Sequence, residues 1–270
     1  MTGYDELKIY RGKPIIVNSY LTVTIPTIEE ITEFGEKEYF NAVRTLTAVG
    51  ADLKWQLWDM GIDYTKIRDY ELFVKLIYRI IGSKKDLYLD MQNNPEKYDE
   101  MLSNIEMDEL LINPLQLVIK DLDFSDFKPC VNESQDIVLY NQDKDIVFDK
   151  VAYFQLVDII RKIHGFKRNG EIPANERTKM DLIEDARDDS LAQQNRPFES
   201  ILKPLVSTLQ VECGQCGDDR IWQMPISTFL ENIKRIGAVN EAKMLLQGAY
   251  SGFANLKDVD KKRLDMFRSI

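Results

Sequence analysis

Histidine is all but missing from this chain. His164 is the only one in 270 residues, so a Ser-His-Asp or Cys-His arrangement would have to use that single imidazole as its base. It lies in IRKIHGF, at the end of a predicted helix, where it can meet the negative end of the helix dipole; capping is the role this placement predicts. Cysteine is scarce too. Cys130, Cys213 and Cys216 are too few and too unevenly placed for a disulfide framework, so reduced thiols are expected. No run of eighteen apolar residues occurs, which excludes an ordinary membrane-spanning helix, and MTGYDELKIYRGKPIIV spreads charges where a secretory signal needs an apolar core. A cytoplasm-like compartment follows. Neither a phosphate-cradling glycine loop nor a GxSxG elbow is present. Positive charge is in deficit, 35 bases against 45 acids for a net −10. Counterion release from a polyanion is therefore no general driving force, and neither nucleic acid nor an anionic membrane is an expected partner.

What is present is 44% apolar residues in a chain long enough for a sizeable core. Residues 7–25 alternate β-branched and aromatic residues around turn-prone breaks and predict two or three short strands. Thr27 and Glu30 match a capping box, and a helix with Ile28, Ile31, Phe34, Phe40, Val43 and Leu46 follows. Gly50 breaks it; Gly61 ends the next helix, which carries Trp55, Trp58 and Met60. Residues 62–81 continue helically to Gly82. Residues 86–126 hold eleven acids against Lys97 and Lys120, a balance of −9, and read as an insertion of short helices. DIVLY (136–140) and DIVFD (145–149) predict a hairpin. Asp149 is placed to cap a helix whose Val151, Phe154, Val157 and Ile160 share a face. A basic loop follows, then a polar helix with Met180, Ile183 and Leu191, a helix from Pro197 interrupted by Pro204, a helix from Pro225, another over 239–248, and an amphipathic one over Lys257 to Ile270. The class is α+β, predominantly α-helical, with a small N-terminal β element and a central β-hairpin. The organisation is an N-terminal β/helical unit (1–85), an acidic insertion ending in the hairpin (86–148) and a C-terminal helical domain (149–270).

Three constellations could carry chemistry. Cys213-Gly214-Gln215-Cys216 is a CxxC turn, able to hold zinc or act as a redox pair. Its further ligands would have to be Cys130 and His164, both remote, and Gly217-Asp218-Asp219 continues the loop where a redox motif needs a helix; two surface thiols is the favoured reading. Glu184, Asp185, Asp188 and Asp189 could bind a divalent cation from neighbouring helix rows, yet such carboxylates are usually a solvated face. Arg161, Lys162, Lys167, Arg168, Arg177 and Lys179 surround Phe166, a pattern able to meet a nucleic acid, but the acidic block after them repels phosphate. A contact between the two blocks, within the chain or between subunits, fits better.

Three stretches resemble one family when taken together: IPTIEEITEFGEKEYFNAVRTLTAVGADLKWQLWDMGIDYTKIRDYELF (25–73), the IRKIHGFKRN, NERTKMDLIEDARDD and PFESILKPLVSTL phrases, and IWQMPISTFLENIKRI with LLQGAYSGFANLKDVDKKRLDMFRSI. They are similar to uncharacterised proteins of the tail-gene modules of phages and prophages of Gram-positive bacteria, which look like tail assembly chaperones or tail and baseplate assembly factors. The resemblance implies a non-enzymatic role in tail morphogenesis, no cofactor, and tape-measure or tube subunits as partners, in the host cytoplasm or in the virion tail. A homo-oligomer is compatible with it. An acidic body with apolar grooves for helices suits that role, and the candidate partner-binding residues are Trp55, Trp58 and Met60, with Tyr250, Phe253, Met266 and Phe267, and the bases Arg161, Lys167 and Arg168; the alternative for the apolar ones is a place in the core. A minor structural tail component, a thiol- or metal-dependent enzyme built on Cys213 and Cys216, and a host-directed regulator acting through the acidic insert are the competing readings.

Overall fold

A computed structural model describes residues 3–98, 107–132, 135–194, 196–212, 219–253 and 259–268, with backbone alone at 3–5 and at Pro95. The chain is α+β and mostly helical, with one two-stranded and one three-stranded antiparallel sheet. Leu7 to Tyr10 do not form the predicted strand. They belong to helix α1 (Gly3–Tyr10), whose Ile9 is buried and whose last carbonyls accept the Ser227 hydroxyl (at Ile9, 2.6 Å) and the Thr228 hydroxyl (at Tyr10). A tertiary partner 218 residues away decides against local strand preference. Gly12 turns the chain with φ +66, and a Cβ there would lie 2.4 Å from Pro225 Cγ, so the turn needs glycine on both counts. Strands β1 (Ile15–Ile16) and β2 (Thr22–Val23) then pair, Ile15 opposite Val23.

The capping box forms as predicted: Thr27 Oγ1 accepts from the Glu30 amide at 3.2 Å, and Glu30 Oε2 accepts from the Thr27 amide at 2.8 Å. Gly35, at φ 111, divides the predicted single helix into α2 (Ile28–Phe34) and α3 (Glu36–Thr47). After a 3-10 turn, α4 (Lys54–Asp59) ends at Gly61, whose φ is +72. The next helix starts later than its periodicity implies, as α5 (Asp69–Leu72), passes through a π-turn (Phe73–Ile77) and closes as α6 (Tyr78–Ile81). Helix α7 (Lys85–Asn93) opens the acidic stretch. Strand β4 (Ile137–Asn141) pairs with β5 (Ile146–Phe148) in the predicted hairpin, and β3 (Lys128–Val131) adds to its other side.

Asp149 caps α8 (Lys150–His164) by accepting from the Ala152 amide at 2.8 Å. The predicted apolar face is rotated. Tyr153, Leu156, Val157, Ile160 and Ile163 are buried, whereas Val151 and Phe154 are 62% and 42% exposed; a stripe at spacings of three and four can be drawn one residue to either side, and the large Tyr153 selects the buried one. In α9 (Glu176–Gln194) Ile183 is buried and Leu191 exposed, so the apolar line stops short of the helix end. Helix α10 (Leu202–Glu212) starts five residues after Pro197. Pro204 falls in its first turn, where an amide has no intrahelical acceptor, and so it interrupts nothing. Helix α11 (Ile226–Tyr250) runs through Gly237 without the expected break, and the last amphipathic segment shortens to α12 (Lys261–Leu264); residues 254–258 and 269–270 lie outside the described part.

The acidic stretch is more than an appendage: Leu115, Val118, Ile119, Leu122 and Phe124 sit in one hydrophobic core with Phe73, Phe148 and Tyr153. All three segments that composition separates contribute to it. Position within that core is fixed partly by remote caps. Glu36 of α3 accepts from Ser200 Oγ (2.6 Å) and from the Ile201 and Leu202 amides (2.5 and 2.9 Å), so its carboxylate caps α10 from another helix. We predict that Glu36→Ala lowers stability by about 1–2 kcal/mol, the size of a lost N-cap, read as an earlier urea midpoint; an unchanged midpoint would count against the cap.

Candidate interaction surface

The basic loop after α8 folds onto the α4–α5 region and is neutralised there. Arg168 Nε and Nη2 grip both carboxylate oxygens of Asp69 at 2.9 Å, Lys54 meets Glu171 at 2.6 Å, and Lys179 meets Asp63 at 2.9 Å. Burial alone would raise the Asp63 carboxyl; the hydrogen bonds from Lys179 and Thr65 outweigh it and hold the group well below the usual carboxylate range. Arg161 donates to the Thr47 carbonyl at 2.6 Å and satisfies the end of α3. Within the chain these bases pair with Asp69, Glu171, Asp63 and the Thr47 carbonyl and not with the acidic block of α9. Its Arg187 pairs with Asp59, while Glu184, Asp185, Asp188 and Asp189 point into solvent as a hydrated face. Among the described residues no group of three or more His, Cys, Asp or Glu could hold a metal ion.

Where the loop meets the 49–51 and 64–69 turns a cleft of about 290 Å³ remains, with Arg168, Asp69, Asn169 and Glu171 on its rim and Ile67, Ile172 and Pro173 beside them. Tyr64 lines it, and its buried hydroxyl has no hydrogen-bond partner among the described residues. Burial pushes that phenol up, with Glu171 adding to the shift. Gly50 sets the floor: a Cβ there would come within 2.4 Å of the Tyr64 carbonyl oxygen. Gly50→Ala should therefore cost about 1–3 kcal/mol through overpacking, with a correspondingly lower melting temperature in calorimetry; an unaltered melt would show that the turn yields freely.

His164 does not act as a charged cap. It is 4% exposed, its Nδ1 lies 2.8 Å from the Ile160 carbonyl and its Nε2 lies 2.7 Å from the Tyr39 hydroxyl. The carbonyl can only accept, so Nδ1 carries the proton and Nε2 accepts from Tyr39. Phe166 stacks on the ring at 5.1 Å. Burial drives the imidazole down to about 4, so it caps the last turn of α8 as a neutral donor, beside Gly165 in the left-handed conformation at φ 65.

The predicted partner-binding residues lie on several different elements. Trp55 is half-buried against the core, Trp58 is 38% exposed beneath the Lys179 ammonium at 5.5 Å, and Met60 is 55% exposed. Arg161 and Arg168 are held in the internal contacts above, and Lys167 is exposed. In the C-terminal stretch, Tyr250, Phe253 and Phe267 are at least 90% exposed and Met244 is 73% exposed, with Met266 half-buried. The segment carrying Phe267 is strapped to α11: Arg235 donates to the Met266 and Arg268 carbonyls (3.0 and 2.8 Å), and Glu241 receives Arg263 at 2.6 Å and also Arg268. Met244 escaped the sequence reading, although its place one turn beyond Glu241 is visible in the spacing. Cys213 and Cys216 lie outside the described residues; Cys130 is free and exposed on β3.

The described residues form a mostly helical α+β protein whose C-terminal arm, residues 231–268, leaves the large apolar side chains of Tyr250, Phe253 and Phe267 in water. No family model, curated protein or solved structure matches the chain. Among the described residues no helix is long and apolar enough to cross a membrane.

Proposed function

We propose that the protein works through protein–protein contacts in the morphogenesis of a phage tail, as a non-enzymatic chaperone that holds tape-measure or tube subunits. One observation carries the contact role. Tyr250, Phe253 and Phe267 stand at least 90% exposed on the arm, and large apolar groups kept in water there mark a surface for another protein. The tail assignment draws on the resemblance of the 25–73, 159–209 and C-terminal phrases. A chaperone for a long amphipathic client needs an acidic, soluble body with apolar surfaces for helices, and a −10 chain of this build supplies both. The test is mass spectrometry of proteins retained by the tagged chain from phage-producing cells, beside purified virions. Tape-measure or tube protein in the retained fraction, with the chain absent from virions, is the expected result; the chain in virions would make it a structural tail component, and recovery of neither would overturn the tail reading.

A further inference from the structure

We infer that copies of this chain associate head to tail, the C-terminal arm of one seated on the acidic α7 region of the next. The inference takes from the contact role only that the arm is a binding surface, and it names what the arm grips.

Charge is distributed unevenly enough to point to the occupant. Residues 231–268 hold eight bases against five acids, a balance of +3, in a chain of −10, so everything outside the arm sums to −13. Lys243, Lys261 and Lys262 are exposed on the same stretch as the aromatic side chains. Arm against arm would set like charges together, which disfavours a two-fold pairing through this face.

The chain carries a second surface of the opposite kind. The Lys84 amide donates to the Leu110 carbonyl at 2.7 Å, holding the 107–111 turn against α7. Leu89, Leu111 and Ile112 are 53%, 41% and 45% exposed there, and on the same elements the acids Asp86, Asp108 and Glu109 are exposed beside Lys84. Exposed apolar side chains on a net-acidic stretch complement exposed apolar side chains on a net-basic one. The two lie on different elements of one chain, so their union between copies is heterologous: it leaves one free patch at each end and propagates until a ring closes. Rim charges of this kind give association that weakens as salt rises.

Sedimentation velocity of the full chain at up to about 200 μM, in about 50 mM and about 500 mM NaCl, tests this with two variants at exposed positions. The arm variant is Phe253→Asp with Phe267→Asp, and the acceptor variant is Leu111→Lys with Ile112→Lys. Circular dichroism melts matching the parent show that both fold. The parent should form concentration-dependent oligomers that weaken roughly tenfold or more at the higher salt. Each variant alone should be monomeric, and their equimolar mixture should give a one-to-one dimer and nothing larger, because each keeps one working patch. A monomeric parent at low salt, a variant that assembles like the parent, or a mixture that stays monomeric would each overturn the inference. These outcomes are independent of whether tail proteins are recovered from cells, so the two readings can fail separately.

Discussion

Phe73→Ala should remove about 3–5 kcal/mol of stability, the largest loss expected from any single truncation in this chain. Phe73 is fully buried in the π-turn. Its ring lies 4.6 Å from Tyr153, 5.4 Å from Phe124 in an edge-to-face arrangement and 5.7 Å from Phe148. Those neighbours come from α8, from the acidic stretch and from β5, so one side chain joins four parts of the molecule. Aromatic pairs of this geometry add about 0.5–1.5 kcal/mol beyond the area they bury, and the surrounding rings, each fixed by others, cannot collapse into the space left behind. Equilibrium urea unfolding would show the loss as a lower midpoint at unchanged slope. Val151→Ala, on the solvent side of α8, is the matched control and should stay within about 0.5 kcal/mol of the parent. Equal losses at the two sites would refute the central place given to the ring cluster.

The second large effect is a dependence on pH between about 6.5 and 4, traceable to His164. A free histidine titrates near 6.5, and this one is driven down to about 4 in the folded chain by burial. The folded state thus binds its proton less readily than the unfolded state. The stabilisation is fully present above the unfolded value and is lost as pH falls toward the folded one, amounting to about 3 kcal/mol over the interval. Asp63 and Asp123 are held below their ordinary range, so their contributions fade only at more acid pH. His164→Gln offers the Tyr39 hydroxyl an acceptor without the titration. Unfolding free energies at pH 7, 6 and 5 should fall steeply for the parent and stay nearly level for the variant; parallel curves would mean that another group carries the slope.

The features legible in the sequence are those whose cause is local. Thr27 and Glu30 bond to each other's backbone, Asp149 reaches three residues ahead, and the residues between β4 and β5 are turn formers, so short spacing alone finds them. Gly61 was readable for the same reason. What composition hides is the dual character of residues 86–126. Their acids set the apparent class of the segment, while Leu115, Val118, Ile119 and Phe124, scattered among them without a clean period, enter the core. The remote contacts are equally silent. Nothing near Glu36 announces that it caps a helix beginning at Leu202, and nothing near Arg168 names Asp69 as its partner. The exposure of Tyr250, Phe253 and Phe267 is not written in their spacing, which suits a core equally well, and the cleft beside Gly50 arises from three turns that meet only in the folded chain.

The lacing of α1 and α2 to the entry of α11 has a consequence in time. The Pro26 carbonyl accepts from the Ile226 amide at 2.9 Å, and the Ile28 and Glu29 amides donate to the Met224 and Trp222 carbonyls at 3.1 and 2.9 Å. During synthesis the ribosome must add nearly two hundred further residues before these partners exist, on the order of 10–40 s at ordinary elongation rates. Through that interval the early helices are made but unfastened, with Ile28 and Ile31 lacking their final cover. Nascent chains arrested before residue 222 should accordingly be cut by protease within 9–29, and chains released after 232 should resist.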